Sequence, residues 1–269
     1  MPAAVSVRAA LPVALAAAGL FTAGVAALGV LALRRRDHAT PWKAVLAQFA
    51  AANPWSGHDL LFVLAAVAGA QLGRGFLPAS TLLDVLALQG AALAGLGWRL
   101  RGKTRPFGAA APARAVLAQA ALRWLAILPV LWFLSFVWQL LLAALGHAPD
   151  FQLAVRMFLD AGGPARRAAF VFFAVVVAPI AEEATFRGVL LPLLVRRLGP
   201  AWGVALVAVG FAALHADLGT ACALAAFSVA LSLAYARTGT LLVPIAMHAL
   251  FNGANLLLLL GLVRAGWAN

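Results

Sequence analysis

The sequence predicts an all-α protein: a polytopic transmembrane bundle of about eight helices. Two observations carry that prediction. Hydrophobic residues make up 65% of the 269 residues and charged residues only 10%, against roughly 45–50% and about 25% in a soluble domain. A surface of that composition would not stay in water, and a disordered chain is excluded for the same reason. The apolar residues also form continuous runs near the ~20 residues that cross a bilayer as a helix, not the alternating pattern of a transmembrane barrel.

The runs can be justified in order. Leu11 to Leu33 is followed at once by Arg34, Arg35 and Arg36. It is too long for a signal-peptide core and its basic flank is on the wrong side, so it reads as a first span. A polar stretch with Pro41, Asn53 and Pro54 follows, and its Trp42 and Trp55 suit the headgroup level. Asp59 to Phe76 and Thr81 to Trp98 are the second and third spans, closed by a basic loop with Arg99, Arg101, Lys103 and Arg105. The fourth runs from near Ala121 to Gly146. The mixed segment Asp150 to Arg167 suits an amphipathic helix on the membrane surface. Ala168 to Leu198 is too long for one straight span and contains Pro179, so two helical pieces are expected to meet there. Pro200 to His215, Leu218 to Tyr235 and Thr240 to Val263 complete the set. No repeat or linker divides the chain. It reads as N-terminal transmembrane helices of variable character (1–165) and a site-bearing core (166–265).

Charge placement adds an orientation and a partner. Net charge is +12, but the Lys and Arg lie mostly between the apolar runs, where the positive-inside rule and anionic headgroups account for them. The bilayer is therefore the expected partner, and no nucleic acid. Loops after the first, third, fifth and seventh spans hold twelve of the basic residues and the opposite side six, which favours both termini outside the cytoplasm. Cys222 is the single cysteine, so an intrachain disulfide and a cysteine metal cluster are excluded.

The chemistry is concentrated at two positions that lipid makes costly. The chain has only two glutamates, Glu182 and Glu183, and both lie inside an apolar run, where an ion costs at least ~2.5–3.5 kcal/mol on insertion scales. Glu183 and Arg187 are spaced i, i+4 and can pair on one helix face. Glu182 points about 100° away and needs another partner. Of five histidines, His38, His58 and His147 fall in expected loops, whereas His215 ends the sixth run and His248 lies within the eighth, with Asn252 one turn further on the same face. One carboxylate, two imidazoles and an amide on three helices could activate water as a general-base site, or hold a metal with an open position. Proton or ion transport is the remaining reading of such a constellation.

Three short motifs then bring a family into view. Glu182-Glu183-Ala-Thr-Phe-Arg187 matches EExxxR, Phe211-Ala-Ala-Leu-His215 matches FxxxH, and His248-Ala-Leu-Phe-Asn252 matches HxxxN. In this order they resemble the CPBP (CAAX protease and bacteriocin-processing, or Abi) family of intramembrane proteases, over roughly residues 168–256. The approach from Thr238-Gly239-Thr240 to Pro244 resembles it as well. The resemblance implies a CAAX-protease-like core in the C-terminal half and an intramembrane endopeptidase acting on a membrane-associated protein or peptide. It implies that Glu182 is the general base, that His215 helps to hold the water, and that His248 and Asn252 bind the oxyanion. Glu183 and Arg187 would order the helix that carries Glu182, and Phe211 would pack the wall. No cofactor is required in the glutamate-type form of the mechanism. In the metal form, zinc would take His215, His248 and Glu182. The competing class is a non-enzymatic membrane protein that keeps the fold, a transporter or a maturation or immunity partner. The single broken helix and the lack of a repeat argue against a transporter. The expected location is the cell's inner (plasma) membrane, with multiple passes.

Overall fold

A computed structural model describes residues 7–36, 40–74, 81–147, 158 and 163–265. The expected runs are helices: α1 (Val7–Arg36), α3 (Gly57–Arg74), α4 (Thr81–Arg99), α5 (Ala113–Ala144), a long rod from Pro164 to Leu214, α9 (Ala221–Thr238) and α10 (Leu242–Arg264). Five of them are long and apolar enough to cross a membrane, with the shorter apolar Gly57–Gly73 beside them. Their outer faces stay apolar: on α5, Phe133, Phe136, Val137 and Leu140 recur at helical spacing and are all exposed, which suits lipid as the solvent. The chain is a multi-pass helical membrane protein.

Three local expectations are corrected and a fourth is sharpened. The stretch after the first span contains a helix, α2 (Trp42–Ala51), introduced by Pro41. Trp55 is not at a lipid headgroup but buried, its indole Nε1 donating to Pro106 O at 2.7 Å. His58 lies in the first turn of α3 rather than in a loop, and it is exposed. Two helical pieces do meet beside Pro179, Phe173–Val177 and Ala178–Glu183, but the helix continues through the junction without a break. The surface helix expected over Asp150 to Arg167 lies largely outside the described residues; Phe158 is buried against Phe170 and Leu259.

The long rod is where the helical geometry varies. It comprises α6 (Pro164–Phe172), a π-helical segment Phe173–Val177, α7 (Ala178–Glu183), a second π-helical segment Ala184–Leu190, and α8 (Leu191–Leu214). Pro179 explains the first widening. Ala178 N–H bonds Phe173 O, five residues back. The next bond in that register would run from residue 179 to Ala174 O, and proline has no N–H to give. The bare Ala174 carbonyl accepts instead from Asn252 Nδ2 at 2.8 Å. The break in the rod comes at Gly199, whose φ of 82° is open to glycine at little cost. There residues 200–214 turn back along the preceding helix.

Packing ties both halves together. Gly24 lets α1 cross α5 closely: a Cβ there would stand 2.6 Å from Leu125 O. In one core, Leu46 and Ala50 of α2 meet Phe186, Leu191 and Phe211. In a second, Ala120 and Leu131 of α5 meet Phe227, Leu231 and Met247. A third joins Trp55, Val63 and Leu96 to Val189, Leu193 and Tyr235. Loops one, three, five and seven gather at one end. Arg196 donates to Ala50 O, Asn53 O and Trp55 O, Arg237 to Thr40 O, and Gly108 forms an antiparallel bridge with Thr240. The loops that carry the basic excess thus share one face of the bundle.

Candidate active site

Gly199 decides which residues meet. Phe211 and Arg187 each lie twelve residues from the turn, and the fold-back brings them level: the Arg187 guanidinium stands 4.5 Å from the centre of the Phe211 ring, and Phe186 meets Phe211 edge-on at 5.3 Å. Helix α10 then lays His248 edge-on against Phe211, with ring centres 5.7 Å apart.

The two glutamates have unlike surroundings. Glu183 is fully buried. Its Oε1 accepts from Arg187 Nη1 at 2.9 Å, the expected i, i+4 pair, and also from His248 Nδ1 at 2.9 Å. Because a carboxylate oxygen can only accept, the shared hydrogen belongs to the imidazole. Arg187, also fully buried, uses Nη2 on Ser228 Oγ (2.7 Å) and Ser228 O (3.2 Å) in α9. Glu183 therefore ties α7, the second π-helical segment, α9 and α10 into one unit. Charged donors and acceptors in such contacts are about twice as strong as neutral ones.

Glu182 has no cation of its own. Its side chain is 18% exposed. Oε1 accepts from Gln89 Nε2 of α4 at 2.8 Å. Oε2 is buried with no hydrogen-bond partner among the described residues and lies 3.9 Å from His248 Nε2. Leaving such an atom unsatisfied costs more than an ordinary hydrogen bond contributes; Glu183 Oε2 and Arg187 Nε are open as well, but of the three only Glu182 Oε2 faces His248 Nε2.

Among the described residues no hydrogen bond or ion pair joins the remaining expected residues to Glu182. His215 caps α8; its Nδ1 bonds Phe211 O at 2.8 Å, so a carbonyl fixes the proton there and Nε2 is the accepting nitrogen. Its ring packs on Phe211 at 4.9 Å. Both imidazoles thus rest on one phenyl ring, but no hydrogen bond or ion pair joins His215 to Glu182. Asn252 shares the His248 face of α10 and is engaged with Ala174 O. Gln89 and Ser228 were missed by sequence reasoning. Gln89 carried a signal, a polar side chain inside an apolar run. A serine among alanines in α9 carried almost none.

The donor set can be tested for zinc. Tetrahedral ligands at ~2.0–2.1 Å from the metal stand about 3.3 Å apart, whereas His248 Nε2 and Glu182 Oε2 are 3.9 Å apart. Among the described residues no three His, Cys, Asp or Glu side chains are grouped to share a metal ion. As placed, His215, His248 and Glu182 do not fit zinc.

Fold and site define a class: a helical membrane protein whose bundle holds one neutralised glutamate and, beside it, a second with an open oxygen facing an imidazole. Residues 164–254 match the family model described as Rce1-like, type II CAAX prenyl endopeptidase Rce1-like. The segment from α6 into α10 is therefore similar to the Rce1-like family, in agreement with the three motifs, and it contains Glu182, His215, His248 and Asn252. Neither the curated proteins nor the solved structures compared with the chain gave a match.

Proposed function

We propose that the protein is a plasma-membrane endopeptidase of the CAAX-prenyl-protease kind, which hydrolyses a peptide bond of a membrane-associated protein or peptide with water activated by Glu182. The observation that carries this is the unpartnered Glu182 Oε2, aimed at His248 Nε2 inside the segment similar to the Rce1-like family. Glu182 takes a proton from the water as its oxygen attacks the scissile carbonyl carbon, then delivers that proton to the leaving nitrogen as the C–N bond breaks. His215 Nε2 accepts the water's other hydrogen. His248, held through Nδ1 by Glu183, and Asn252 face the developing oxyanion. In that role His248 acts as an imidazolium, with its second proton toward the cleft. Fixed donors in a water-poor site are worth several kcal/mol to such an oxyanion.

The test uses the full chain in lipid vesicles with a prenylated peptide and an unprenylated leader-type peptide as substrates. Glu182→Gln is expected to lower cleavage by about 10²–10⁴-fold with little change in thermal stability, because the amide keeps the volume and can still accept from Gln89. Cleavage is expected to persist after dialysis against a chelator. Loss on chelation with recovery on zinc addition would overturn the metal-free step. No cleavage of any membrane-tethered peptide by the wild type would favour the non-enzymatic reading.

A further inference from the structure

We propose that Gln89, from the N-terminal half of the chain, is a positioning residue for Glu182 and selects which of its oxygens acts as the base. This inference rests on the reading of Glu182 as general base. Gln89 lies on α4, 93 residues before its partner, and is buried at 8% exposure. Its amide nitrogen is 2.8 Å from Glu182 Oε1; toward a carboxylate, only the NH₂ end of the amide can make that contact.

The consequence is geometric. A free glutamate carboxylate rotates about its terminal bond over a broad, roughly two-fold range, and either oxygen could then face the cleft. With Oε1 held by Gln89, rotation is arrested and Oε2 is fixed 3.9 Å from His248 Nε2. The two neighbours of the carboxylate divide its oxygens between holding and reacting. Gln89 is a neutral donor, so it holds the carboxylate without adding a charge of its own. The helical motifs of the Rce1-like segment therefore do not complete the site alone: one element outside residues 164–254 orients the reacting group.

The experiment compares wild type, Gln89→Met, Gln89→Asn and Glu182→Gln in vesicles. Methionine keeps the length and volume and removes the donor; asparagine keeps the amide on a shorter stem. Both are expected to lower kcat by about tenfold to a hundredfold, the scale of a misplaced catalytic group, with KM within about twofold and thermal stability close to wild type. A second readout does not depend on turnover. The infrared carboxylate band assigned to Glu182 by subtraction of the Glu182→Gln spectrum should shift in Gln89→Met, because its Oε1 donor is gone. Unchanged kcat and an unshifted band, with Glu182→Gln inactive, would overturn the role of Gln89 while leaving the proposed function standing. If Gln89→Met does not fold, Gln89→Asn decides by the same two measurements. A wild type that cleaves no peptide would overturn both.

Discussion

Among the described residues two buried ionic clusters are built on opposite plans. At the basic end of the bundle, Asp59 is fully buried and saturated. Oδ1 accepts from Arg99 Nε at 2.6 Å, and Oδ2 accepts from Lys103 Nζ at 2.8 Å and from Ser56 N and Oγ at 2.9 and 2.8 Å. Lys103 also donates to Pro54 O. One acid faces two bases, and the carboxylate has no oxygen to spare. In the site, two acids face one arginine and one imidazole. Glu182 Oε2, Glu183 Oε2 and Arg187 Nε are all buried without partners. The Asp59 cluster joins the start of α3 and the loop before it to the end of α4 and the loop after it. The Glu182 cluster is less complete: among the described residues it leaves three buried polar atoms open, which a fully satisfied brace does not.

The largest effect that would break this contrast is at Glu183. Glu183→Gln removes the charge from an oxygen shared by Arg187 and His248 and leaves a buried guanidinium uncompensated. Breaking such a pair typically costs about 3–5 kcal/mol, measured as a drop in unfolding free energy in detergent. Activity should fall too, because the His248 imidazole loses its anchor. A Glu183→Gln protein as stable as Glu182→Gln would show that the two carboxylates do not have separate tasks.

Asp59→Asn sharpens the contrast from the other side. Its partner Arg99 is 38% exposed, so water screens part of the loss, and about 1–3 kcal/mol of stability is expected to go. Cleavage per folded molecule should stay within about twofold, since this anchor offers no open atom to a substrate. A large fall in kcat with full stability would mean that α3 and α4 transmit more than the position of Gln89.

What the sequence made legible follows from which interactions are local. Apolar runs of spanning length are written residue by residue, so the helices after α2 and the first span could be read directly. The Glu183–Arg187 pair was legible because i, i+4 is fixed by the helix. Trp55 misled because its aromatic ring suits a headgroup layer as well as a core; only the contact with Pro106, 51 residues away, decides. Helix α2 is ten residues long, too short for a spanning run to reveal it. Gln89 is polar inside an apolar run, a signal that sequence reasoning missed, and no periodicity could connect it to a residue 93 positions later. His215 and Glu182 share a motif set, yet among the described residues no hydrogen bond or ion pair joins them; His215 packs on Phe211, as His248 does.

Pro179 was expected to break the helix because its ring removes a donor, and the structure shows where the unpaired acceptor went. Ala174 O is held by Asn252, so Asn252 has a structural task besides the proposed oxyanion one, and a double-mutant cycle separates them. Asn252→Leu should destabilise by about 0.5–1.5 kcal/mol, the range of hydrogen bonds between membrane helices. Pro179→Ala restores a backbone N–H at the position whose five-back acceptor is Ala174 O. In that background Asn252→Leu should cost distinctly less, since the backbone can satisfy the carbonyl itself. The intrinsic preference of alanine over proline in a helix appears in both arms of the cycle and cancels. Unfolding of the four proteins in the same detergent measures the coupling. Additivity within about 0.3 kcal/mol would mean that the amide does not stand in for the missing N–H. Clear coupling together with lost cleavage in Asn252→Leu, in both backgrounds, would assign the residue to the frame and the reaction alike.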